Sequence, residues 1–217
     1  MNKLKGLEKY IYLLSQKDQQ TLEKWVKEQN DLKTKLIETD VHNWKVKLKD
    51  GEEGEKLRYI GGVDISFDND DKDVGISGLV VCDAQENFKI VYDDYKFVKI
   101  EEPYVPSFLA FREVKHYIQL VNDLKRKKPE YMPQVILVDG NGIMHTRGFG
   151  IASHLGVLMD IPTIGCAKTV FALYDEGITN LYVNYINNRK LKYYGNSFRL
   201  KGYSGKIWGY ALKSTKY

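Results

Sequence analysis

The sequence predicts an α/β fold: a mixed central sheet, three antiparallel strands followed by parallel ones, flanked by helices. Three observations predict it. Strand-like runs at residues 59–67, 74–82 and 88–98 are separated only by short polar turns, as in an antiparallel meander. An amphipathic run at 107–127 follows, with Phe108, Leu109, Phe111, Val114, Tyr117, Ile118, Val121 and Leu124 at helical spacing. Strand-like and helix-like segments then alternate, which is how parallel strands are joined.

The remaining elements fit this frame. Residues 13–37 place Leu22, Trp25, Val26, Leu32, Leu36 and Ile37 among charges, the spacing of an amphipathic helix packed on the sheet from outside. A short strand at 44–48 and a polar loop with Gly51 and Gly54 precede the first long strand. The acidic residues at 68–73 and 83–87 read as hairpin tips, not ligands. Pro106 stands before the long helix and Lys125-Arg126-Lys127-Lys128-Pro129 marks its end. A strand at 134–138, a Gly-rich loop, a helix at 150–159 and a strand at 163–166 come next. A further helical or mixed stretch leads to a hairpin pairing 192–200 with 207–212 around Gly202 and Gly205. The whole of 1–217 reads as one domain.

Bulk properties narrow the class. No run of about 18 uncharged apolar residues occurs, and Met1-Asn2-Lys3-Leu4-Lys5 lacks a secretory signal's apolar stretch. The expectation is a monomer with no membrane partner, in the cytoplasm or also the nucleus. Cys82 and Cys166 are too few for a disulfide framework or thiolate site and are expected as buried, reduced thiols. Residues 177–217 hold eight Lys or Arg and no Asp or Glu, leaving 25 cations against 29 anions elsewhere. Tyr182, Tyr185, Tyr193, Tyr194, Phe198, Tyr203, Trp208, Tyr210 and Tyr217 share that segment, and cations interleaved with aromatics suit a phosphate backbone and stacked bases. The competing reading is a strand-rich segment whose aromatics fill a core while its lysines are solvated.

Chemistry concentrates on carboxylates. In Ile136-Leu137-Val138-Asp139-Gly140-Asn141-Gly142 an apolar strand ends in an aspartate and glycines. In Tyr59–Phe67, Asp64 interrupts an apolar run, where an unpaired carboxylate is costly. If those strands are neighbours at the sheet centre, Asp64 and Asp139 meet, and Glu113 near the start of the long helix can be aimed at the same point. Converging carboxylates repel unless a divalent cation sits among them, and hard oxygen donors favour Mg²⁺ or Mn²⁺.

Five segments in order carry a family resemblance. They are Gly61-Gly62-Val63-Asp64-Ile65-Ser66-Phe67, Pro103-Tyr104-Val105-Pro106-Ser107-Phe108-Leu109-Ala110-Phe111-Arg112-Glu113, Val138-Asp139-Gly140-Asn141-Gly142 with His145 and Arg147, Gly150-Ile151-Ala152-Ser153-His154-Leu155-Gly156, and Gly165-Cys166-Ala167-Lys168-Thr169. From Trp25 to about Leu212 the chain resembles endonuclease V, a nuclease with the ribonuclease H-like fold, and Phe108-Leu109-Ala110-Phe111-Arg112-Glu113 resembles its eukaryotic members most.

The resemblance implies a Mg²⁺-dependent cut, with Mn²⁺ as substitute, at the second phosphodiester bond 3′ to inosine. Its substrate is single-stranded RNA for eukaryotic members and deoxyinosine-containing DNA for bacterial ones, the latter a repair activity. It makes Asp64, Glu113 and Asp139 the metal-binding catalytic carboxylates and puts His145 and Lys168 near the scissile phosphate. His154 is a weaker candidate. Tyr104, beside Pro106, corresponds to a wedge that stacks where the extruded base leaves the strand, while Leu109, Gly140, Gly142, Gly150 and Ile151 line a hypoxanthine pocket. Two departures stand out. Ser107 occupies a position where the family commonly has glycine, and the chain ends at Lys216-Tyr217 where the family pattern continues into another strand and a closing helix. That second departure keeps open a binding protein for inosine or branched strands with impaired cleavage, and implies an exposed hydrophobic patch.

Overall fold

The computed structural model describes residues 16–46, 54–71 and 73–216. The expected helix start at 13–15, the loop and strand end at 47–53 and Lys72 in the first acidic turn lie outside them. Helix α1 spans Gln16–Lys33, so Leu36 and Ile37 fall beyond it. Short strands β1 (Trp44–Lys45) and β2 (Glu55–Lys56) pair in parallel. Then come β3 (Tyr59–Phe67), β4 (Val74–Asp83), β5 (Lys89–Lys99), α2 (Leu109–Lys127), β6 (Val135–Asp139), α3 (Ile151–Met159), β7 (Thr163–Cys166), α4 (Asn180–Lys190), β8 (Ser197–Lys201) and β9 (Ile207–Leu212).

The principal sheet runs β5-β4-β3-β6-β7, antiparallel across the first three strands and parallel from β3 to β7. Strand β6 lies between two parallel neighbours, and its apolar run buries Val135, Ile136 and Val138. Register then decides the site. Val63 pairs with Val138, so Asp64 and Asp139 each stand one residue beyond the same rung.

One face of the sheet is covered. Val63, Ile65, Leu79 and Val81 pack against Val114, Tyr117, Leu120, Val121 and Leu124 of α2 and against Ala152 and Leu155 of α3. Alternation sends Val74, Ile76, Val80, Tyr95, Phe97, Leu137 and Ile164 to the opposite face, where they are exposed. Asp64 is on that open face too, not enclosed among apolar neighbours as its sequence context suggested. Helix α1 buries Leu22, Trp25 and Val26 against Val105 and Phe108, with Trp25 stacked on Phe111 at 4.9 Å. It braces the segment before α2 instead of spreading over the sheet.

The C-terminal hairpin is a separate two-stranded sheet, and its strands are shorter than the sequence suggested. Leu173, Ile178 and Leu200 make its core with Tyr182, Val183, Trp208 and Ala211, while Tyr185, Tyr193, Tyr194, Tyr203 and Tyr210 are exposed. The segment's aromatics are thus divided between a small core of their own and the surface. Cys82 is half-buried and Cys166 exposed, the latter because β7 is an edge strand with one open face. Among the described residues no helix is long and apolar enough to cross a membrane.

Candidate active site

Three residues meet where β3 and β6 deliver their carboxylates. Desolvation, and then the charge of Asp139, push the Asp64 carboxyl above its usual range, against the pull of the Ile65 backbone amide and Lys168. Lys168, just after β7, places Nζ 2.7 Å from Asp139 Oδ2 and is otherwise exposed. These side chains line an open cleft of about 2100 Å³ that continues past Gly142 and Asn184 to Tyr210 of the hairpin.

Glu113 approaches from the helix-covered side and is only 5% exposed. The Tyr117 hydroxyl donates to its Oε2 at 3.2 Å. Burial, helped by the charges of Asp64 and Asp139, pushes its carboxyl up to about 7, although Tyr117 and Arg112 oppose the rise. Among the described residues no three His, Cys, Asp or Glu side chains stand close enough to form a metal-binding group as placed. Asp64 and Asp139 are the close pair, and Glu113 is coupled to them through charge. That donor set suits a divalent cation, since hard oxygens in excess negative charge are what Mg²⁺ and Mn²⁺ take as ligands.

His145 is not brought to this cluster. Its ring is 5% exposed, and burial and then the charge of Arg147 hold it down to about 3. Nε2 lies 3.1 Å from the Ser107 carbonyl, and Nδ1 accepts from the Arg147 backbone N–H at 3.3 Å. His154 is likewise buried, between Phe111 and Phe149.

Tyr104 projects from the segment before α2 with 68% of its surface exposed. The Arg112 guanidinium lies 5.7 Å from its ring centroid and 5.9 Å from that of Phe67, joining this loop to the end of β3. Pro106 and Leu109 are half-buried on the same stretch. The glycine positions meet in the loop that follows Asp139 and at the start of α3. A Cβ on Gly140, at φ +141°, would come within 2.5 Å of Ile151 Cγ2, and one on Gly150 within 2.3 Å of the Asn141 carbonyl oxygen. Gly150 N–H donates to the Gly142 carbonyl at 2.8 Å. Gly140, Gly142, Gly150 and Ile151 are thus one close-packed corner, with Leu109 on the Tyr104 side.

Sequence reasoning passed over Arg112, Tyr117 and the guanidinium of Arg147. The spacing of Glu113 and Tyr117, four apart on a helix, was the available signal for one of them. Nothing local signals that Arg112 spans two aromatic rings from distant segments.

The family model for endonuclease V matches residues 41–217. The chain belongs to the endonuclease V family. Human endonuclease V is 41% identical over 196 residues, taking in 90% of this chain and 67% of the human protein. Mouse endonuclease V is 42% identical over 90% of this chain but only 56% of its own length, so the chain spans little more than half of that relative. The solved catalytic domain of human endonuclease V superposes with a TM-score of 0.80 at 41% identity, covering 91% of this chain and 77% of that one. Endonuclease V from Ciona intestinalis, solved with a 23mer DNA containing an inosine followed by a ribo-adenosine, gives 0.76 at 32% identity, covering 92% and 78%. The mixed five-stranded sheet flanked by helices is accordingly the ribonuclease H-like fold of endonuclease V, and its homologues make this chain a nuclease by family.

Proposed function

We propose that this chain cuts inosine-containing single-stranded RNA at the second phosphodiester bond 3′ to inosine, using Mg²⁺, with Mn²⁺ as a substitute. The observation that carries the reading is the Asp64–Asp139 pair, set side by side by the β3–β6 register beside Lys168. The Ciona relative's ligand, in which a ribonucleotide follows the inosine, supports the choice of nucleic acid.

Asp64 and Asp139, with Glu113 behind them, would hold the cation, which when bound lowers the pKa of water and neutralises a leaving oxygen. Lys168, free to swing from Asp139, offsets charge on a scissile phosphate. The exposed ring of Tyr104 stacks where the target base leaves its neighbours, a contact worth roughly 1–3 kcal/mol per base. Gly140, Gly142, Gly150 and Ile151, with Leu109, border the hypoxanthine pocket of this reading, the glycines being what lets that corner pack so closely. Exposed cations and tyrosines on the hairpin carry the strand away from the cleft.

The test is incubation of the protein with Mg²⁺ and an end-labelled RNA carrying one inosine, beside its adenosine control, a deoxyinosine DNA and an EDTA arm. A single metal-dependent product displaced to the 3′ side of inosine in RNA is expected. Faster cleavage of the DNA would favour a repair nuclease, for which the largely DNA ligand of the Ciona relative is the supporting observation. Retention of the inosine strand without a cut would mark a binding protein, and cleavage in EDTA would remove the cation from the mechanism.

A further inference from the structure

We infer that His145 and Arg147 are positioning residues that hold the Tyr104 loop in its projecting form by closing together on the carbonyl of Ser107. The inference rests on the wedge reading of Tyr104 and extends it to what keeps the wedge in place.

Ser107 is a non-glycine residue at φ +71°, a backbone conformation that side chains disfavour and that surrounding contacts must impose. Its carbonyl accepts from Arg147 Nη2 at 2.7 Å and from His145 Nε2 at 3.1 Å. A carbonyl can only accept, so the proton of His145 is on Nε2. Nδ1 is then the acceptor that its contact with the Arg147 N–H requires. One neutral tautomer serves both bonds, and a second proton would set two N–H groups against each other. Neither ring nitrogen remains for water or phosphate.

Arg147 is itself held from three sides. Its Nε donates to Gln29 Oε1 of α1, its guanidinium lies 4.1 Å over the Phe108 ring, and its carbonyl accepts from Lys33 at 2.5 Å. Gln29, 1% exposed, donates its own amide to the Phe149 carbonyl at 2.7 Å. The loop is therefore pinned to α1 behind it and to the 145–149 turn beneath it, three residues from the exposed ring of Tyr104. Free of the clamp, Ser107 returns to an ordinary φ and the projection of Tyr104 is lost.

The experiment compares Tyr104→Ala, His145→Ala, His145→Gln and the double variant Tyr104→Ala/His145→Ala. It reads the ratio of affinities for inosine and adenosine strands by fluorescence anisotropy, together with the same ratio in kcat/KM. His145→Ala should lose about ten- to a hundred-fold of that selectivity, as expected for misplacing a contact group. His145→Gln, whose amide can still donate to Ser107, should recover most of it, and the double variant should be no less selective than Tyr104→Ala. The pH profile of kcat for His145→Gln should overlay the wild type between about pH 6 and 8, where a titrating histidine would leave a limb. Ser107→Gly supplies a second arm, because glycine adopts the bent form unaided and should shrink the cost of His145→Ala. Multiplying effects in the double variant, or a vanished pH limb in His145→Gln, overturn the clamp. Unchanged selectivity in Tyr104→Ala refutes the wedge itself, a distinct result.

Discussion

Lys168 Nζ sits 2.7 Å from Asp139 Oδ2, while Asp64 brings a second carboxyl to the same oxygen-rich corner from the neighbouring strand. The pair joins a residue after β7 to the last residue of β6.

Asp139→Asn removes the charge both Lys168 and a cation depend on. Cleavage should fall at least about 100-fold with strand affinity nearly unchanged. Single-turnover rates and anisotropy titrations check this, and near-normal turnover would sink the assignment of Asp139. Lys168→Ala should lower kcat about 100-fold with little change in KM.

Ser107→Gly should stabilise the fold. Relief of the left-handed backbone returns roughly 1–2 kcal/mol, against about 0.4–1 kcal/mol of added unfolded-state entropy. Urea midpoints of the two proteins decide it, and a lower midpoint for the glycine variant would mean that the serine is not strained.

Gly150→Ala should destabilise by about 1–3 kcal/mol or more, because the new Cβ meets backbone oxygens of Asn141 at 2.3 Å and Gly142 at 2.9 Å, which cannot swing aside. Thermal melting measures the cost, and a melt matching wild type would show that the corner yields to a methyl group.

His154 supplies a pH dependence. Burial holds its ring down to about 4, and among the described residues its Nδ1 has no hydrogen-bond partner. Below about pH 6.5 the unfolded chain takes up a proton that the folded ring refuses, so its contribution is present at neutral pH and lost as pH falls toward 4. His154→Leu should therefore gain about 2 kcal/mol relative to wild type between pH 7.5 and pH 5. Urea titrations at the two pH values test it, and an equal difference at both would show that this ring does not titrate between them.

Much of this was legible in the chain. The extents of β3 and β7 coincide with the apolar runs that announced them, and β4, β5 and β6 shift by only a residue or so. Their alternation is set by burial of every second side chain, a local pattern. Asp64 and Asp139 were legible as a pair for the same reason. The contacts of His145 were not legible, since a histidine after a glycine-rich loop looks the same in sequence whichever partner its ring meets. The left-handed backbone at Ser107 was equally silent, because a bend imposed by Arg147 and His145, 40 and 38 residues away, leaves no mark on the local sequence.

By itself the sequence determined the order of elements, the family and the carboxylates that reach the open end of the central strands, all consequences of side-chain periodicity and residue chemistry. Only the tertiary structure decided that Asp64 faces a cleft, that Glu113 is buried against Tyr117 and that His145 and Arg147 share one carbonyl. Those outcomes depend on strand register, the helix-covered face and contacts closed over long loops, where the energy belongs to pairs of distant groups rather than to any residue read alone.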